Sequence, residues 1–243
     1  MHIIPNKTYT LLASFLLLTQ LAVADVTLCG SGSFGRMIKA QQTAIESASG
    51  QKLEVTTKNS ALGVKDLVAG KANLAVVSGP AKAVYKAAGI SDDVADKLVA
   101  ATVGSEKAAF IVNPANPVST LTTDQLKGIF TGKITNWKEV GGSDTPIRVF
   151  FADQSNGFRL AADEQLFGGA ALVGTERAKS GDVTPVVAQS PDAISFIGAG
   201  DVKATVKVVE QSAVTIPLIL VSNGQPTADQ KAVISATTAI FTK

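Results

Sequence analysis

The sequence predicts an α/β fold with mostly parallel strands. Short apolar runs of strand length alternate with stretches of helical spacing along most of the chain. Helix-start signals repeatedly follow the strands, and no repeat of 20–50 residues or low-complexity tract interrupts the alternation. Val26–Cys29 is a short apolar strand. Gly35 to Ser47 has helical spacing, with Met37, Ile38, Ala40 and Ile45 on one face. Leu53–Thr57 is β-rich, and Val64–Ala69 is a short helix stopped by Gly70. Leu74–Val77 is a buried strand, and Ser91 caps a helix running to Leu98. Ala108–Val112 is a strand closed by Asn113-Pro114-Ala115-Asn116-Pro117. Thr122 and Gln125 form a capping box for a helix ending at Phe130, and Thr227 with Gln230 opens the last helix in the same way. Strands at Ile147–Ala152, Ile194–Ile197, Thr205–Val209 and Ile216–Val221 lie between them.

The chain has 243 residues, 46% of them hydrophobic, enough for one large domain or two small ones with real cores. Lys and Arg total 22 against 20 Asp and Glu, and this balance argues against a nucleic-acid partner. The N-terminus reads as an export signal. His2 and Lys7 precede the apolar run Leu11 to Leu18, and Ala22-Val23-Ala24 is an A-x-A cleavage pattern. Residues 1–24 are therefore expected to be removed, leaving Asp25 to Lys243 soluble and periplasmic or secreted.

His2 is the only histidine and Cys29 the only cysteine. Without His2 the chain has no Ser-His-Asp or Cys-His catalysis and no His-ligated metal; one Cys makes neither a zinc cluster nor an intrachain disulfide. Cys29 reads as a small buried strand residue. Asp92-Asp93 suits the first turn of a helix rather than a catalytic carboxylate pair. Lys58 and Lys65 near Ser60 sketch a Ser-Lys pair, which the electrostatics of an anion site explain equally well. An enzyme is not expected, and neither is a cofactor or metal.

Gly30-Ser31-Gly32-Ser33-Phe34-Gly35 matches G-x-G-x-x-G, with Glu54 about 20 residues on. The preceding strand is short, Glu54 falls mid-strand, and an exported protein seldom meets free dinucleotide. A tight turn without a ligand and an oxyanion site built from helix-start N–H groups and the Ser31 and Ser33 hydroxyls remain the better readings. Asn59-Ser60-Ala61-Leu62-Gly63 and Asp153-Gln154-Ser155-Asn156-Gly157 also place a Ser at or just before a helix start. Singly these are ordinary N-caps; together they suit one anion at the carboxyl ends of the strands.

In this order the three turns resemble those of the phosphate-binding proteins of high-affinity phosphate ABC transporters. Leu121 to Gly142, and above all Ile129 to Gly142 (IFTGKITNWKEVGG), is highly characteristic of that family, and Val64 to Ser78 looks like its second segment. The resemblance covers most of the chain after residue 24. It implies a type II periplasmic-binding-protein fold, two α/β lobes with a hinge and an interlobe cleft. The lobes would be 25–104 with 213–243, and 105–212, with a second crossover near Glu210–Ile216. Carried over residue by residue, Ser33 and Phe34 match the family's Thr-Phe pair, Ser60 the serine of the second turn and Ser155 that of the third.

Three departures stand out. Phe151 occupies the position of the family's phosphate-pairing Arg, Ser78 that of the Asp accepting the proton of HPO4²⁻, and Gly157 that of a Thr beside Asn156. Charged hydrogen bonds contribute about 1.5–3 kcal/mol each. Losing a two-pronged Arg therefore costs on the order of 3–6 kcal/mol, about two to four decades of affinity. Arg36 and Arg159 are candidates to supply the missing charge. The resemblance implies a monomeric exported solute-binding protein that delivers inorganic phosphate or a similar oxyanion to an ABC permease. A surface, sensor or interaction protein that has lost tight phosphate binding is the alternative. Trp137, the only tryptophan, is expected to anchor the second lobe.

Overall fold

The computed structural model describes residues 26–177, 182–210 and 214–242. The expected export signal, residues 1–24, lies outside them, as does the middle of the expected second crossover, residues 211–213. Nine strands form one sheet in the order β2-β1-β3-β9-β4-β7-β5-β6, with β8 also on β4. The strands are β1 Val26–Ser31, β2 Leu53–Lys58, β3 Leu74–Ser78, β4 Leu98–Val112, β5 Arg148–Ala152, β6 Thr175–Arg177, β7 Ala193–Gly198, β8 Lys207–Glu210 and β9 Thr215–Asn223.

Two strands make this one sheet of two halves. Residues 98–107 of β4 pair with β9, and residues 108–112 pair with β7 and β8. β9 returns the chain and inserts between β3 and β4. The first half is β2-β1-β3-β9 with the start of β4, and the second is the end of β4 with β5 to β8. The α/β class is as expected, but the strands are not mostly parallel. Four pairings are parallel and four antiparallel among the described residues, because β4 and β9 run against their neighbours.

Helices cover both faces, as the alternation along the strands requires. Leu74 and Val76 of β3 join a core under α1 (Gly32–Ala40), α2 (Gln42–Ser49) and α9 (Ala228–Phe241). Ala75 and Val77 join another under α3 (Ser60–Val68) and α4 (Ala81–Ala87). In the second half Phe110 and Val112 face α6 (Thr123–Phe130) and α7 (Gly157–Ala162), while Ala109 and Ile111 face α8 (Val183–Gln189). Phe110, Phe130, Phe167 and Phe196 form an aromatic nest with centroids 5.4–6.1 Å apart. Trp137 is buried in this core, and its indole Nε1 donates to the Asp192 carbonyl at 2.9 Å.

Several boundaries differ from the expectation. The helix read as Gly35 to Ser47 is two, broken at Gln41 (φ −109°, ψ 10°). The helix capped by Ser91 is the single turn α5, Asp92–Ala95, and Leu98 already begins β4. Ala108–Val112 is the end of a 15-residue strand. Among the described residues no helix is long and apolar enough to cross a membrane.

Candidate anion-binding site

Four turns meet where the halves face each other, those after β1, β2, β3 and β5. Ser31 caps α1, accepting from the Phe34 N–H at 3.4 Å. Its hydroxyl lies 3.2 Å from that of Ser33 and 2.8 Å from that of Ser78. The Ser78 N–H donates to Ser60 Oγ at 3.2 Å. All four serines are buried. Three hydroxyl protons share two mutual contacts among Ser31, Ser33 and Ser78, so one proton is free to point outward. The Phe34 ring is core, edge-on to Phe241 with centroids 5.5 Å apart; only its backbone N–H belongs to the turn.

The fourth turn comes from the other half. Asp153 accepts from both the Ser155 N–H, at 2.9 Å, and the Ser155 hydroxyl. Asn156 caps α7, accepting from the Phe158 N–H at 2.9 Å and the Arg159 N–H at 3.4 Å. The two sides touch at Gly157, where a Cβ would stand 1.4 Å from the Ser78 carbonyl oxygen and 3.2 Å from Ser60 Oγ. Asn59, the cap of α3, crosses the seam and donates from Nδ2 to Ser155 Oγ at 3.0 Å.

Ser33, Ser60, Ser78 and Gly157 are thus brought together, with Phe34 N–H, Ser155 and Asn156 at the rim. The two arginines are not. Arg159 packs its guanidinium over the Phe151 ring, 4.6 Å from the centroid. Its Nε donates to both Asp163 oxygens at 2.8 and 2.9 Å, and its side chain is 6% exposed. Burial is the larger influence on Asp163 and raises its pKa against the pull of Arg159. Arg36 reaches across the seam to Asp201, with Nη2 to Oδ1 at 2.6 Å. Each is spoken for by a carboxylate.

Asn59 and Asp153 belong to the cluster although the sequence reading did not carry them as site residues, and Ser31 joins it where its hydroxyl was read beside Ser33. Asn59 directly before a helix and Asp153 two residues before Ser155 are capping and Asx-turn signals that point to them. The Cys29 thiol donates to Asp66 at 3.2 Å, and burial first, then Asp66, pushes it up to about 11. Lys58 is paired with Asp66 rather than with Ser60. What remains is a set of helix-start N–H groups and hydroxyls in which, among the described residues, Arg36, Arg159 and Lys58 are each held by a carboxylate, suited to holding an oxyanion by dipoles.

A family model described as a PBP superfamily domain matches residues 19–241. The phosphate-binding protein PstS of Bacillus subtilis is 38% identical over 90 residues, 37% of this chain and 30% of that protein. PstS of Borreliella burgdorferi is 27% identical over 107 residues, 40% of this chain and 38% of that protein. The matches thus span well under half of these relatives' length. A Clostridium perfringens substrate-binding protein assigned to phosphate ABC transporters, solved with bound phosphate, superposes with a TM-score of 0.74. It is 28% identical, over 87% of this chain and 91% of that one. A Vibrio cholerae phosphate transport receptor shares the fold, with a TM-score of 0.63 and 23% identity over 88% of this chain and 93% of that one.

Proposed function

The chain belongs to the PBP superfamily, and we propose from that membership that it is an exported solute-binding protein for phosphate or a related oxyanion, without enzymatic activity. Its lobes are residues 25–104 with 213–243, and 105–212, and they close on the ligand by bending where β4 and β9 cross. An ABC permease receives the ligand, and the binding protein works as a monomer in the periplasm or secreted.

The observation that carries this reading is the convergence of four Ser/Gly turns from both halves on one point. The binding set is Ser31, Ser33, Ser60, Ser78 and Ser155 with Phe34, Asn156 and Gly157 at the helix starts. Ser78 donates where a carboxylate would repel, so a fully ionised anion such as sulfate is accepted beside phosphate. Without a facing arginine, affinity is expected about two to four decades below that of a site with a bidentate guanidinium.

Calorimetric titration with phosphate, sulfate, arsenate and molybdate tests this. Binding of at least one anion, weakened tenfold or more by Ser33→Ala or Ser155→Ala, is the expected result. At a hundredfold excess over Kd the ligand adds about 2.7 kcal/mol to stability, visible as a raised Tm. A folded sample, stripped of carried-over ligand, that binds none of the four would overturn the reading in favour of an interaction protein.

A further inference from the structure

The Arg36–Asp201 pair joins the halves directly, from α1 on one side to the single 3₁₀ turn Ala199–Asp201 after β7 on the other. Beside it lies Glu106, on β4 one residue before Lys107, the last residue that pairs with β9. Both Glu106 carboxyl oxygens are buried and unpartnered. Glu106 stands on the part of β4 that pairs with β9, while the groups against its carboxyl, Gly198, Gly200 and the Phe158 ring, come from the second half. A Cβ on Gly198 would stand 2.5 Å from the Phe158 ring and 2.9 Å from Glu106 Oε2, so glycine alone lets the carboxyl and ring close over β7. Gly200 of the same turn lies against both Glu106 and Met37 of α1. The charged groups that face the carboxyl are Arg36 and Asp201. β9 sets Ile216 opposite it in register, and Arg159 of α7 is held by Asp163.

A carboxylate enclosed without a donor strongly disfavours its charged form, and separating the walls would return it to water. We propose that Glu106 is a positioning residue for closure, forming with Arg36 and Asp201 a proton-dependent clasp that holds the halves together while its carboxyl is neutral. The clasp rests on the two-lobed closure proposed above but not on the identity of the ligand.

The sign follows from linkage. Burial is the largest influence on Glu106 and raises it from an ordinary 4.5 to about 7; the Gly200 backbone dipole, outside hydrogen-bond geometry, and Arg36 oppose the rise and Asp201 adds to it. The closed form therefore holds one more proton than the open form between these values. Closure carries no penalty below about 4.5, loses ground as pH rises, and reaches its full penalty above about 7. The closed-to-open ratio falls by up to about two and a half decades across that window.

Spin labels at Lys39→Cys in α1 and Gln189→Cys in α8, one on each half, read the gap with no anion present. The expected result is a distance that lengthens as pH rises from 4.5 to 7.5, and a Glu106→Gln chain in which it does not change. Arg36→Gln should carry the upper edge of the response to higher pH, and Asp201→Asn to lower pH. These two side chains are partly exposed, and their opposite shifts separate a clasp from general loosening. No pH response in the parent pair of labels, or an undiminished response in Glu106→Gln, overturns the proposal. Failure of anion binding would leave this readout untouched.

Discussion

Gly157 shows what one missing methyl group does here. Its Cα stands against the Ser78 carbonyl so closely that any Cβ would fall inside that oxygen's radius. Gly157→Ala must therefore push α7 off β3, and both segments lie at the candidate site. Anion affinity is expected to fall at least tenfold in Gly157→Ala, with little change in the denaturant midpoint, since the clash is relieved by opening the halves. Calorimetry beside a urea titration checks both. Ser31, Ser33, Ser60 and Ser155 were legible in the sequence because each sits in a short-range pattern of strand, Ser/Gly turn and helix; Ser78 came only from the family resemblance, since the helix after it was not read. The fate of the arginines was not. Arg36 meets a carboxylate 165 positions away, and only the assembled fold brings them together. Arg159 has its partner at i+4, a spacing visible in the sequence, but its stacking on Phe151 depends on how β5 meets α7. Asp163 and Arg159 together explain why a phenylalanine is tolerated at 151: the ring is covered by a guanidinium that a carboxylate already holds.

Among the elements, the two helices opened by a Thr/Gln capping box were readable, whereas the Asn136/Glu139 box of the turn Trp137–Val140 was not read as a helix start. The boxes at Thr122/Gln125 and Thr227/Gln230 are both formed, with each hydroxyl accepting from the N3 amide and each glutamine accepting from the cap amide. Thr227→Ala should cost about 1 kcal/mol of stability, measurable as a lower chemical midpoint. The anion site lies far from this cap along the chain, and its affinity should be unchanged. The helices that the sequence hid are α4 and α8, neither of which has a side-chain cap. α8 also carries Pro185 at its third position, which reads as a breaker although the first turn tolerates it. Its far end is fastened instead by Asn113, whose Nδ2 donates to the Val187 and Ala188 carbonyls from 74 and 75 positions away. The continuous run from Gly35 to Ser47 hid a break at Gln41 because both helices bury the same face, through Ile38 and Ile45.

At the scale of the molecule, alternation identified the α/β class, while strand direction depended on β4 and β9. A 15-residue strand that changes partners midway gives no local signal of the change, because Lys107 and Ala108 are ordinary neighbours in the chain. Glu106 lies on β4 beside the point where that strand changes partners.

Placing β9 between β3 and β4 also orders the events of folding in time. The sheet of the first half lacks an inner strand until residues 215–223 arrive, although its other strands are made from residues 26–107. The second half draws its strands from one stretch, residues 108–210. A chain released end-first through a membrane pore would thus complete its middle while its beginning waits for its last eighth. In pulsed hydrogen exchange during refolding, the amides of β5 and β7 should become protected before those of β1 and β3. Simultaneous protection would show instead that the two halves form as one unit.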